Sequence, residues 1–373
     1  MSLPRNPSWA ELFADDETTG FPVLLHLRLL RRAGEPLLLV PTNPRLAAEA
    51  LSLYPAQRAR ARLFRKCLHQ VWRLGIRVNF ETVVVSLVPD APFPKFLAQG
   101  VAATPGAFPP LAILCGNPEA SGRRFVILVF APDRTPAIVV KAGVGEAAWR
   151  LIDQEATFLQ SVPRAMPAIP ELRGVFHGRN VHALAMNFMH GSTPAAEDYE
   201  AIGKLLTSWL NRGELRQLGD LPAWRVVEET CISHPLWESV AGSLRNRPVR
   251  PTIFHGDFAP WNIKVSPQDG SWTVLDWERG EIVGIPGWDW FHYVFQYAVL
   301  VSRLPLAGAV QRVRELLYHK AFDPYASAAA IDGVERELFL AYLICYSKKF
   351  GSPKGGADLE ELLTRLAGSW PKD

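Results

Sequence analysis

The sequence predicts an α+β fold with a β-rich lobe ahead of an α-rich lobe, and an extra α/β segment before both. Three observations predict it. Strand-like apolar runs, LAILCG, RFVILVF and AIVVKAG, crowd residues 111–143. Helical periodicity then runs from Ala195 to about Arg245, and again from Trp288 to Leu366. Between these two stretches, residues 253–275 read as strand, loop and hairpin.

The elements follow in order. Residues 22–41 hold two extended runs, VLLHLRLL and PLLLVP, around the turn RRAGEP. From Asn43 to Leu74 the pattern turns helical, with a break at Pro55. A proline-rich loop, PDAPFPKF and then ATPGAFPP, puts a boundary near 105. Beyond AIVVKAG a helix is expected near Glu146–Leu159, and VHALAMNFM reads as another strand. The expected division is therefore 1–105, an extension without an assigned role; 106–190, the β-rich lobe; and 191–373, the α-rich lobe. The 373 residues leave room for this, at about 100–200 residues per domain.

Composition narrows the function classes. Hydrophobic residues make up 48% and charged residues 21%, the balance of a globular chain rather than a disordered or fibrous one. A net charge of +3 is too small for the basic face of a nucleic-acid binder, so no nucleic-acid partner is expected. Cys67, Cys115, Cys231 and Cys345 lie far apart, without metal-ligand spacing, and read as reduced thiols. The opening MSLPRNPSWAELFADDE has no basic start followed by an apolar block, and no run approaches the ~18 apolar residues of a membrane span. A cytoplasmic protein is expected.

The chemistry concentrates in FHGDFAPWNIKVSPQDGSWTVLDWERG, residues 254–280. Asp257 and Asn262 stand five apart on a loop after a short apolar run. IKV, the turn-prone SPQDGS and TVL then form a hairpin, which brings Asp276 back beside Asn262. Three oxygen-bearing side chains converge. Phosphoryl transfer needs that set: hard oxygen ligands for Mg²⁺ and a carboxylate to take the hydroxyl proton. Each of these residues alone would be an ordinary turn or strand-end residue.

HGDFAPWN followed by VLDWE resembles the signature of the aminoglycoside phosphotransferase and choline kinase family, small-molecule relatives of protein kinases. The resemblance covers about residues 110–370 and implies a protein-kinase-like fold with a nucleotide-binding N-lobe and a catalytic, substrate-binding C-lobe. It implies ATP and Mg²⁺ as the nucleotide and cofactor, and a small-molecule hydroxyl as acceptor. By position, Asp257 would be the catalytic base, His255 would brace its loop, and Asn262 and Asp276 would hold the metal. The Asp257–Asn262 spacing equals that of the protein-kinase catalytic loop.

The family also needs a lysine for the α- and β-phosphates and a helix glutamate to hold it. Lys141, in AIVVKAG, and Glu155, fourteen residues on, fit those parts, with Glu146 a competing partner. Ser121 and Gly122, in the loop NPEASGR, offer backbone amides to phosphates, although a plain hairpin turn fits equally. Asn187 and Met189, in LAMNFMHG, resemble the connector whose backbone bonds adenine.

Other features stand beside the motif. Ala259 occupies the position where many protein kinases carry lysine, which argues against protein substrates. Asp289, in PGWDWFHY, is expected to cap the following helix and tie the catalytic loop. The aromatic residues Trp288, Trp290, Phe291, Tyr293, Phe295 and Tyr297 read as core, with stacking on a ligand as the alternative. No Asp or Glu occurs between Ala50 and Phe80, where Arg58, Arg62, Arg65, Lys66, His69 and Arg73 share one helical face. Leu63, Phe64, Cys67, Leu68 and Val71 share another. Residues 56–77 could thus meet an acidic partner or lie at the inner face of a membrane. The LSLYP segment at 51–55 also resembles LALYP-type motifs of bacterial phosphotransferase-like proteins from polysaccharide clusters, which would imply a sugar or lipid-linked glycan substrate. A nucleotide-binding pseudokinase or scaffold stays open as the alternative to an enzyme.

Overall fold

The computed structural model describes residues 8–14, 21–54, 59–101, 108–116, 122–195, 197–350 and 357–369. Contacts divide the chain into two units, residues 1–160 with 170–189, and residues 161–169 with 190–373. The first is β-rich and the second α-rich, the α+β arrangement expected.

The first unit is built on one eight-stranded antiparallel sheet in the order β3-β1-β2-β4-β5-β6-β8-β7. Its strands are β1 (Val23–Arg32), β2 (Glu35–Pro41), β3 (Glu81–Leu87), β4 (Leu111–Cys115), β5 (Arg123–Phe130), β6 (Pro136–Val144), β7 (Leu172–His177) and β8 (Val181–Asn187). Side chains alternate across a strand, and the sequence uses both faces. Phe125, Ile127 and Val129 of β5 enter one core with Trp9, Leu12, Phe93, Phe96 and Leu97. Leu128 and Phe130 enter the other, under α1 (Pro44–Ala50) and α2 (Ala59–Arg73), where Trp72 is fully buried. The strands of the segment before 105 therefore belong to the same sheet as those after it: β2 pairs with β4 through Leu38↔Leu114 and Leu39↔Ile113.

Two further helices complete this unit, α3 (Pro92–Ala98) and α4 (Glu146–Ser161). Residues 55–58, including the expected break at Pro55 and the Arg58 position, lie outside the described residues. Helix α2 buries a narrower face than the sequence suggested. Leu68 and Trp72, four apart, turn inward, while Leu63, Phe64 and Cys67 are exposed.

The second unit carries helices α5 (Tyr199–Ser208), α6 (Pro222–Cys231), α7 (Trp237–Leu244), α8 (Trp288–Gln296), α9 (Leu306–Leu317), α10 (Asp323–Ala329), α11 (Glu335–Phe350) and α12 (Ala357–Ser369). Its strands form two-residue to four-residue pairs: β9 (Arg216–Gln217) with β10 (Pro248–Val249), β11 (Thr252–Phe254) with β14 (Glu281–Gly284), and β12 (Ile263–Val265) with β13 (Trp272–Val274). Trp288, Trp290, Phe291, Tyr293 and Phe295 are all buried in α8, so they pack the core rather than offer a stacking surface. No helix among the described residues is long and apolar enough to cross a membrane.

Candidate active site

The loop between β11 and β12 carries His255, Asp257 and Asn262, and the β12–β13 hairpin returns the chain to it. Ile263 pairs with Val274, and the Leu275 N–H donates to the Asn262 carbonyl at 2.7 Å. Asp276 follows directly. Its φ of +74° puts it in the left-handed region, which a non-glycine residue enters at a cost but which Asp tolerates better than most.

His255 is fully buried and serves as a strut. Its Nδ1 accepts the Asp257 N–H at 3.1 Å, so the proton sits on Nε2, which donates to the Leu275 carbonyl at 2.9 Å. One ring thus joins the residue before Asp276 to the backbone of Asp257. Burial pushes its pKa down to about 4, which keeps the imidazole in the neutral form that this bonding requires. Gly256, between them, has φ +77°, and a Cβ there would lie 2.9 Å from that of Arg279.

The Asp257 carboxylate is held at both oxygens. The Asn262 amide Nδ2 donates to Oδ2 at 3.2 Å and to the Asp257 carbonyl at 2.9 Å. His292, on α8, reaches Oδ1 with Nε2 at 3.0 Å, while its Nδ1 lies 3.0 Å from the Tyr342 hydroxyl. Burial opposes the charge on Asp257, but the His292 hydrogen bond, with the nearby His292, Arg279 and His255, outweighs it and lowers the pKa. Burial pushes the Tyr342 phenol well up, so it remains a donor to His292.

Asp289 ties the same loop from below. Its carboxylate accepts the His255 N–H at 2.7 Å and the Gly256 N–H at 3.1 Å. The expected cap on the following helix is not made: Gly287 stands at the N-cap without a side-chain bond, and Asp289 lies inside the first turn with its oxygens committed to the loop. Burial raises its pKa to about 7 against the two N–H bonds. Sequence reasoning passed over His292. The signal available was its spacing, since residues three apart on a helix share a face, and Asp289 already pointed that face at the loop.

The β-rich unit holds a second cluster. On β6, Ile138, Val140 and Ala142 enter the core, so Lys141 emerges on the other face. There its Nζ lies 2.7 Å from both carboxylate oxygens of Glu155 on α4. The two side chains are 16% and 2% exposed, a pair largely withdrawn from water. Glu146, the competing partner, instead meets Arg150 one turn along its own helix at 3.8 Å. Gly122, at the mouth of β5, has φ +75°, and a Cβ there would stand 2.5 Å from the Ala148 nitrogen in the first turns of α4. Ser121 lies outside the described residues. Asn187 ends β8 opposite Ile138, the next N–H, of Phe188, donates to the Ala137 carbonyl, and Met189 is half-buried at the end of the unit.

The donor set suits Mg²⁺. Asn262 commits Nδ2 to Asp257, which leaves its amide oxygen as the atom that would meet a cation, and Asp276 adds a carboxylate. A cation that keeps most of its own water needs few protein ligands.

Residues 132–289 match the model of the phosphotransferase enzyme family. That stretch contains Lys141, Glu155, the 255–262 loop, the hairpin and Asp289, and the match agrees with the family that the motif implied. No curated protein matches the chain. Among solved structures, a thermostable mutant of aminoglycoside phosphotransferase APH(4)-Ia, in ternary complex with ADP and hygromycin B, is similar at 13% identity. It covers 74% of this chain and 97% of its own, with a TM-score of 0.43. The Plasmodium vivax ethanolamine kinase is similar at 11% identity, over 69% of this chain and 82% of its own, with a TM-score of 0.42.

Proposed function

We propose that this chain, whose residues 132–289 match the phosphotransferase enzyme family, transfers the γ-phosphate of ATP to a hydroxyl of a small molecule such as a sugar, amino alcohol or glycan precursor. The observation that carries the reading is the double hold on Asp257, by Asn262 at one oxygen and His292 at the other. A carboxylate fixed in this way orients a hydroxyl. The hydroxyl oxygen attacks the γ-phosphorus, the bond from that phosphorus to the β–γ bridging oxygen breaks, ADP leaves, and the proton passes to Asp257. The lowered pKa suits a late proton transfer, because a loose transition state asks for positioning more than for strong basicity.

Lys141, fixed by Glu155, would contact the α- and β-phosphates, and the backbone around Gly122, Asn187 and Met189 would meet the rest of the nucleotide. Asn262 and Asp276 would hold Mg²⁺, which when bound supplies charge neutralisation at the β- and γ-phosphate oxygens. His255 acts as a positioning residue. Such a protein would work in the cytoplasm, where ATP is supplied.

Mg-ATP turnover over a panel of sugars and amino alcohols tests the proposal, with phosphorylated product followed by mass spectrometry. Turnover that Asp257→Ala abolishes is the expected result. ATP binding with no phosphorylated product from any acceptor would instead favour the pseudokinase or scaffold reading.

A further inference from the structure

Outside this site, the β-rich unit gathers three metal-ligating side chains that no proposed step uses. His177 and His182 face each other as the closing pair of the β7–β8 hairpin. Asp153 reaches them from α4: its Oδ1 lies 3.1 Å from His177 Nε2, and both its oxygens lie 3.0 Å from His182 Nδ1. One donor atom from each residue falls within 4.8 Å of the other two.

We propose that Asp153, His177 and His182 bind one divalent transition-metal ion, with Zn²⁺ the best chemical fit. Two imidazole nitrogens and one carboxylate oxygen are the donors a borderline-soft ion prefers, whereas Mg²⁺ and Ca²⁺ call for oxygen alone. Tetrahedral zinc with bonds of about 2.0–2.1 Å sets its donors roughly 3.3 Å apart, so the two Asp–His separations of 3.0–3.1 Å open slightly, while the two imidazole nitrogens, within 4.8 Å of each other, form the third edge. The ligands come from two elements that are already fixed to each other. Trp149, one turn before Asp153 on α4, stacks on the His182 ring at 4.8 Å and 13°, and its indole N–H donates to the Asn180 carbonyl in the hairpin turn at 3.2 Å. Exposure of 58% at His177, 40% at Asp153 and 20% at His182 leaves an entry path and room for water in a fourth position. Bound there, the ion clips the β7–β8 hairpin to the helix whose buried side presents Glu155.

The test uses the full chain, stripped with a chelator and titrated with Zn²⁺ alone by calorimetry and with Co²⁺ alone by visible absorption. Wild type is expected to bind one Zn²⁺ at this site and to gain thermal stability from it. His177→Ala and His182→Ala should each weaken that binding by at least about tenfold and lose the visible bands of bound Co²⁺. His177→Gln, a milder change at the most exposed ligand, repeats the measurement should either alanine variant fold poorly. Asp276→Asn should leave zinc binding as in wild type. A stripped wild-type protein that takes up no Zn²⁺, or histidine variants that bind as wild type does, would overturn the site. Loss of zinc in Asp276→Asn with retention in the histidine variants would overturn it as well.

Discussion

His292 Nε2 stands 3.0 Å from Asp257 Oδ1, thirty-five residues away in sequence, and is the contact that lets a half-buried carboxylate stay charged. Removing it lets the desolvation of Asp257 prevail. For His292→Ala, kcat/KM should fall roughly 10- to 150-fold, the range for a hydrogen bond to a charged group. The acid limb of its pH–rate profile should also move to higher pH. A fall in rate without that movement would assign His292 a purely structural part.

The Lys141–Glu155 pair supports a prediction that separates folding from binding. Removing one partner of such a withdrawn pair costs about 3 kcal/mol or more, because the other charge is left in a poor solvent. Lys141→Met and Glu155→Leu should each lower Tm and weaken ATP binding. The double variant should regain much of the Tm, since apolar replacement of both partners is often neutral, yet still bind ATP at least about tenfold more weakly. Recovery of ATP affinity in the double variant would remove Lys141 from the nucleotide site.

Asp289 and His255 share a hydrogen bond and give opposite pH dependence. His255 is depressed to about 4, so its contribution to stability is present above its ordinary value of ~6.5 and is lost as pH falls toward about 4. Asp289 is raised to about 7, so its contribution is present below ~3.9 and is lost as pH rises through about 7. The two slopes oppose each other over their common window. Asp289→Asn deletes the second slope only. The Tm of this variant minus that of wild type should therefore climb between about pH 4 and 7. A flat or falling difference would contradict the raised pKa.

Asp276 allows a test of why a strained backbone is kept. Glycine adopts φ +74° without strain, so Asp276→Gly should change stability by no more than about 1 kcal/mol. Asp276→Asn keeps the shape and removes the charge. Both variants should lose at least about a hundredfold in turnover, the scale of a lost charge-stabilising group. Turnover near wild type in the asparagine variant would show that the carboxylate is not needed for the metal.

The 255–262 loop and the hairpin were legible because their signals are local: Asp257 and Asn262 sit five apart, and a turn-prone SPQDGS returns the chain. The Lys141–Glu155 contact was legible for a similar reason, one strand followed at once by one helix. What escaped was short or distant. Helix α3 is seven residues with prolines at 92 and 94, which reads as loop. Strand β7 carries Gly174 in its interior and lacks a clean alternation of burial. Strand β3, at the sheet edge, is largely exposed at its start. The periodicity of α2 points an apolar face through Leu63, Phe64, Cys67, Leu68 and Val71, of which Leu68 is buried, whereas Trp72 sets the buried direction. The grouping of Asp153, His177 and His182 has no spacing to notice, because a hairpin and a helix assemble it.

The pairing of β2 with β4 bears on any attempt to trim the protein to its family-like portion. Leu111–Cys115 is an apolar strand, and its outer side is paired with β2, Ile113 standing opposite Leu39 and Leu114 opposite Leu38. A chain begun near 106 would present that row as a raw margin, with no lysine or proline of its own to discourage a visitor. Two such fragments would meet margin to margin. Insolubility of the shortened protein would then report a missing neighbour strand rather than a defective catalytic half.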